Sequence, residues 1–230
     1  MKKTIIFPSL KNDTKLWDDF ALSYHELVNA SLNKKNNWYS KRLIPSVLSL
    51  LKGKKESKIL DFGCGDGYLS DLIFAKRYEV IGYDISKNML QIAKKRNSRI
   101  NFIGNETKLY EKKYSSIILN MVIHDIKNYC LVLTKLMNCL ENNGQIILSI
   151  PHPCFYNSDN KNQTKKYKSD HSFYKFNEKF TGVRHYHRSI EKYFSLFYSN
   201  GFYLSFFDEI YDWSMGEIPH CMLLVFKKLI

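Results

Sequence analysis

Ser57-Lys58-Ile59-Leu60-Asp61-Phe62-Gly63-Cys64-Gly65-Asp66-Gly67-Tyr68 is the stretch from which the rest of the chain can be read. An apolar run over Ser57–Phe62 predicts a buried strand. Glycines at every second position then allow a tight turn and a close approach of backbone to a ligand. Tyr68–Lys76 resumes as a helix. Outward from this unit the pattern repeats. Glu79–Tyr83 predicts a strand, and Ser86–Asn97 a helix with Ser86 as N-cap. Ile100–Ile103 and Ser115–Met121 are strands. Asn128–Leu140 is a helix ending near Asn142-Asn143-Gly144, before a strand over Gln145–Ile150. Ser189–Ser199 is a helix, and Phe202–Ile210 and Met222–Lys227 complete seven strands. Upstream, Asp18–Leu32 and Trp38–Leu51 predict amphipathic helices, with Pro45 at a start or kink. Alternating strands and helices imply an α/β fold: a doubly wound, mostly parallel seven-stranded sheet with helices on both faces.

In such a sheet a ligand sits beyond the carboxyl ends of the strands, here beside Gly63, Gly65 and Gly67. Asp84 closes the next strand, where a carboxylate can accept from both hydroxyls of a ribose. A dinucleotide turn would read Gly-x-Gly-x-x-Gly, whereas here the third glycine comes one residue early and Tyr68 takes its place. No Gly-Lys-Ser/Thr follows, which excludes a Walker-type phosphate loop. Asp61 and Asp66 would repel a diphosphate and suit a ligand carrying an ammonium and a sulfonium.

Asp61-x-Gly63-x-Gly65-x-Gly67 with Asp84 resembles the first two motifs of the class I S-adenosylmethionine-dependent methyltransferases. Gly104-Asn105-Glu106-Thr107-Lys108-Leu109 resembles their adenine-contacting stretch, with Asn105 where Asp is common. Ser115 to His124, which includes Asn120-Met121, resembles their fourth-strand motif, and Trp17-Asp18-Asp19-Phe20-Ala21-Leu22-Ser23-Tyr24 resembles their N-terminal helix. The resemblance implies a Rossmann-like fold, S-adenosylmethionine as cofactor and S-adenosylhomocysteine as product. It implies cofactor contacts from Tyr24, from Asp61, Gly63, Cys64, Gly65 and Gly67 at the turn, and from Asp84, Ile85 and Met89 after the second strand. Asn105, Glu106, Asn120 and Met121 complete the set. Residues 1–230 form one domain on this reading, with N-terminal helices over residues 1–55.

Residues 151–188 break the alternation and read as an inserted lid over the acceptor. Pro151 to Val183 lacks an apolar period, so no sheet element is expected there. Its aromatics, Phe155 among them, suit a flap that excludes water. Ser149-Ile-Pro151-His152-Pro153-Cys154-Phe155, Tyr186-His187-Arg188 and Ile218-Pro219-His220 resemble a branch acting on small molecules. His152 and His124 end the fifth and fourth strands, so either can serve as a catalytic base or simply order its loop. Arg188 can bind an acceptor carboxylate or pair with Glu191. His152, Phe155, Tyr186 and Arg188 are therefore the acceptor-side candidates. Cys154 follows the fifth strand rather than the fourth, so a cytosine-type thiolate nucleophile is not expected, and Asn120-Met121-Val122 is not the Asn-Pro-Pro-Tyr of amine methylation on nucleic acid.

Five scattered cysteines without a Cys-x-x-Cys pair signal neither disulfides nor zinc, and no metal is expected. The net charge is +13, yet six of the 35 basic residues are Arg. A lysine-rich solvated surface is the reading preferred, with RNA as the alternative partner. The apolar stretch after Met1 is too short for a signal peptide, and no run is long enough to cross a bilayer, which leads to the expectation of a cytoplasmic protein. The function expected is methyl transfer to oxygen or nitrogen of a small molecule. RNA methylation and non-catalytic binding of S-adenosylmethionine are the alternatives. Nothing in the residues gives an oligomeric state.

Overall fold

A computed structural model of the chain describes residues 13–32, 34, 37–155, 172–177, 180–211 and 218–229. The first described element is helix α1, Asp13–Leu32. A short π-helical turn over Tyr39–Leu43 runs into α2, Ile44–Ser49, with Pro45 in its first turn, where the missing N–H costs nothing. The repeating unit then begins with β1 (Lys58–Phe62), α3 (Tyr68–Ala75), β2 (Glu79–Tyr83), α4 (Lys87–Arg96) and β3 (Asn101–Ile103). It continues through α5 (Thr107–Tyr110), β4 (Tyr114–Asn120), α6 (Tyr129–Met137) and β5 (Leu140–Pro151). A hairpin follows, β6 (Ser172–Asn177) and β7 (Phe180–Tyr186), and then α7 (Ile190–Ser199), β8 (Phe202–Tyr211) and β9 (Pro219–Lys228).

Seven strands form one sheet in the order β3-β2-β1-β4-β5-β9-β8. The first five are parallel, and β9 is antiparallel to both β5 and β8. Alternation along each strand divides the core between two faces. Leu60, Ile81, Ile117, Ile146 and Leu148 pack against Leu133 and Leu136 of α6 and Tyr193 and Phe197 of α7. Their neighbours Ile59, Val80, Ile118 and Ile147 face Val47 of α2, Ile73 of α3 and Ala93 of α4. Because β1 pairs with β2 on one side and β4 on the other, the chain reverses direction across the sheet at β1. The crevice at that reversal is where ligands of such sheets bind.

Two expectations are corrected. Asn142-Asn143-Gly144 does not end α6, which stops at Met137. It lies within β5, where the pairing jumps from Tyr114–Leu140 to Ser116–Gln145 and the intervening residues bulge. The stretch Pro151–Val183 was expected to hold no sheet element, yet Ser172–Asn177 pairs antiparallel with Phe180–Tyr186 in a separate two-stranded sheet. Phe173, Tyr174, Phe176, Thr181 and Val183 are strand-favouring residues, and a search for apolar periodicity overlooks them because Tyr, Lys and Arg interrupt it. The centre of the expected flap, Asn157 to Lys168, lies outside the described residues.

Candidate active site

The glycine turn is built by backbone angles that only glycine takes without strain. Gly63, Gly65 and Gly67 have φ of +74°, +53° and +77°. Their surroundings differ. A Cβ on Gly63 would lie 2.4 Å from Cγ2 of Val122, and one on Gly67 would lie 2.9 Å from Ala93. A Cβ on Gly65 would meet no atom within 4 Å. Gly63 and Gly67 thus let elements pack closely, whereas Gly65 leaves open space for a ligand.

That space belongs to a cavity of about 350 Å³ at the carboxyl ends of β1, β2 and β4. Its floor is Asp61 to Asp66, Asp84 and Ile85 stand on one side, and Asn120 to Val122 on the other. Trp17, Tyr24 and Val28 of α1 roof it. α1 is pinned at two points. Oδ1 of Asp18 accepts from Ser86 Oγ at 2.7 Å and from Asn88 N at 3.1 Å, which fastens α1 to the start of α4. Two turns along, His25 Nδ1 meets Asp66 Oδ2 at 2.7 Å, and Arg96 donates to the same oxygen at 2.8 Å. Asp66, expected to lend its charge to a ligand, is thereby neutralised in a bridge between α1, the glycine turn and α4.

Asp61 is fully buried and accepts from Ser70 Oγ at 2.6 Å. Burial pushes its carboxyl up to about 7, opposed by the Ser70 bond and reinforced by the nearby charges of Asp84 and Asp66. Asp84 accepts from Gly65 N and Ser86 N, each at 2.9 Å, so it spans the glycine turn and the cap of α4, and burial raises its carboxyl too. Cys64 is buried, with its thiol pushed well up by desolvation. Met89 lines the cavity from α4. Asn120 accepts from Ser149 Oγ at 2.7 Å and donates to Tyr39 Oη at 2.8 Å. Met121 takes φ of +56° and is held by Ser149 through its N–H. Tyr24 is half-buried, and desolvation together with the nearby charges of Asp66, Asp125 and Asp84 holds its phenol protonated.

Several expected residues stand elsewhere. Asn105 turns its oxygen to Thr107 N and Oγ1, which orders the turn into α5, and it is Glu106 that lines the cavity. His152 is buried beneath the end of β5. Its Nε2 meets Glu209 at 2.9 Å and its Nδ1 accepts from Cys154 N, so both ring nitrogens are engaged away from the cavity wall. Phe155 covers that imidazole, with centroids 4.8 Å apart. His124 is buried and stacks on His185. Tyr186, His124 and Arg188 border a second, smaller cavity of about 20 Å³. Arg188 neither points at the main cavity nor pairs with Glu191. It is 5% exposed, donates to the carbonyls of Ile123, Ile126 and Lys127, and lies 4.1 Å over the Tyr129 ring.

Tyr39, Val28, Tyr83 and Asp125 line the cavity without having been singled out in the sequence. Tyr39 and Val28 sat within helices read only as amphipathic, and Tyr83 within a strand. Asp125 carries a legible sign, since an acid five residues past a fourth strand falls near the ligand edge.

A family model described as a methyltransferase domain matches residues 36–203. A relative from Haemophilus influenzae is 31% identical over 121 residues, which is 47% of this chain and 48% of that protein. The chain thus spans about half the length of that curated relative, and less of the next two. Magnesium protoporphyrin IX methyltransferase from Synechocystis, solved with S-adenosylmethionine bound, superposes with a TM-score of 0.65 at 16% identity, over 96% of this chain and all of that one (100%). The 1,6-didemethyltoxoflavin N1-methyltransferase of Burkholderia thailandensis gives 0.64 at 14% identity, over 98% of this chain and 94% of that one. Identities this low establish a shared fold, which is the class I S-adenosylmethionine-dependent methyltransferase fold.

Proposed function

Because the chain belongs to the methyltransferase-domain family, we propose that it moves the methyl group of S-adenosylmethionine onto an oxygen or nitrogen atom of a small molecule. The observation that carries the acceptor class is the lining of the main cavity. Asp61, Asp66, Asp84, Glu106 and Asp125 face it, with Lys127 as its single lysine, beneath the aromatic roof of Trp17 and Tyr24. Asp66 is spent on Arg96 and burial holds a proton on Asp61, but the carboxylates of Asp84, Glu106 and Asp125 still disfavour a polyanion in this roofed chamber and suit a cationic cofactor with a compact partner. The chain's excess lysines are not concentrated on this lining.

The residues fit S-adenosylmethionine. Open space over Gly65 suits its amino-acid end, with the Asp61 carboxyl nearby as a hydrogen-bonding group. Asp84 would hold the ribose hydroxyls through carboxylate lone pairs left over from its two backbone bonds. Ile85, Met89 and Glu106 would border the adenine. The bound cofactor supplies a methyl group on a sulfonium that is already a good leaving group. The protein's task is then to hold the acceptor in line and keep water out, and enclosure by α1 serves both ends.

Two measurements test this. Calorimetry with S-adenosylhomocysteine should show Asp84→Ala weaker by about 1.5–3 kcal/mol, through loss of charge-assisted bonds. Unchanged affinity would remove Asp84 from the site. Transfer of labelled methyl from S-adenosylmethionine into fractionated cell extract should put label in the small-molecule fraction. Label confined to RNA would overturn the acceptor class, and binding without any transfer would make the chain a cofactor-binding protein instead.

A further inference from the structure

We infer that His124, Asp125 and His185 form a binding site for one divalent transition-metal ion, set in the wall between the main cavity and its smaller neighbour. Asp125 lines the large cavity, and the two histidines line the small one. His124 and Asp125 sit on a 3-10 turn, Ile123–Asp125, and His185 comes from β7, which packs against that turn. Among the described residues this is the one group of three potential ligands drawn together, with ligand atoms all within 4.8 Å of one another.

The geometry goes beyond proximity. Nε2 of His124 lies 3.5 Å and Nδ1 of His185 lies 2.7 Å from the same atom, Oδ1 of Asp125. The two rings stack with centroids 5.0 Å apart and planes 12° from parallel. Two imidazoles thus bring nitrogens to one carboxylate oxygen in a place nearly closed to water, the side chains being about 10% exposed. A tetrahedral ion with bonds of about 2.0–2.2 Å keeps its donors about 3.3–3.6 Å apart; His124 and Asp125 stand at that spacing, and His185 would draw back from its 2.7 Å contact to reach it. Imidazole nitrogen with carboxylate oxygen is the donor set of zinc, cobalt and nickel rather than of magnesium or calcium. Three protein donors leave a further position for water or an acceptor oxygen.

Two further features favour a cation. The adjoining cavity adds the carboxylates of Asp84 and Glu106 to that of Asp125. The turn that carries two of the ligands is also rigidly held. Arg188 donates to the carbonyls of Ile123, Ile126 and Lys127 on either side of His124 and Asp125, which fixes the first ligands before an ion arrives. The sequence shows no metal spacing because the third ligand lies 60 residues beyond the second.

The inference does not depend on the acceptor proposed above, and metal content reads it directly. The purified chain, loaded with Zn²⁺ and desalted, should retain about one equivalent by elemental analysis. Loading with Co²⁺ should give the visible bands of a low-coordinate site. His185→Gln and Asp125→Asn should each weaken Zn²⁺ binding by more than about tenfold, since even an outer partner of a ligand is worth that much. Melting curves and S-adenosylhomocysteine binding by His185→Gln report whether that variant folds. No retained zinc in the folded wild-type chain overturns the site, and so does retention undiminished in both variants.

Discussion

The turn after β1 and the turn after β4 stand side by side at the edge of the sheet, and they are held in place by different means. Gly63 to Gly67 is shaped from within. Its three positive φ angles and the Asp84 bond to Gly65 N fix the loop using residues at most 19 apart. Ile123 to Lys127 is shaped from outside. Its carbonyls are gathered by the guanidinium of Arg188, more than 60 residues away, and its ligand candidates are completed by His185. The first turn is a local property of the chain, and it is the one proposed to meet the cofactor. The second exists only once β7 and α7 have docked. A turn of the first kind can stay constant while a turn of the second kind changes with whatever packs behind it.

The largest expected effect lies at the first turn. Gly65→Val places a branched residue at φ of +53°, a strain of about 1–2 kcal/mol, and aims its side chain into the open cavity. The fold should survive, because no atom stands within 4 Å of the new Cβ, while binding of S-adenosylhomocysteine by calorimetry should vanish. Normal binding would mean that the turn does not touch the cofactor. Next comes the second turn. Arg188→Met keeps the bulk but takes the donor from three carbonyls, that of buried Ile123 among them, and should cost about 2–3 kcal/mol of unfolding free energy in a denaturant titration. Cofactor affinity of the folded fraction should change far less than stability. An equal loss in both would show that the two turns act as one unit, and would break the contrast drawn between them.

A further effect concerns pH. Burial raises the Asp61 carboxyl from 3.8 to about 7, so between those values the folded protein holds a proton that the unfolded chain has released. The stability tied to this group is complete below pH 3.8 and is lost as pH rises through about 7. Asp61→Asn removes that loss. The stability of the variant relative to wild type should therefore climb with pH across the interval. A flat difference would show that Asp61 is already ionised in the fold, stabilised by Ser70.

The strands and helices that frame the site follow from short-range rules. Ile59-Leu60 reads as a buried strand, Ser86 caps α4 by accepting from Met89 N at 3.1 Å, and the alternate glycines demand a turn that other residues resist. Such features need only a residue and its near neighbours, so the sheet, its seven strands and the cofactor turn were legible in the residues alone. The hairpin β6–β7 was not, because Tyr and Lys among its strand-favouring residues hide the period. His152 seemed well placed by its position after β5, but the side chain turns to Glu209 on β8, a strand whose place beside β9 no local pattern reveals. Asp18 capping α4, Asp66 bridging His25 and Arg96, and Arg188 holding the turn after β4 are likewise pairings across the fold. Periodicity and backbone preference act over a few residues and are written in the sequence. Which charged or titratable groups face each other is decided only when distant elements pack, because a buried polar group must find its partner wherever the topology puts one.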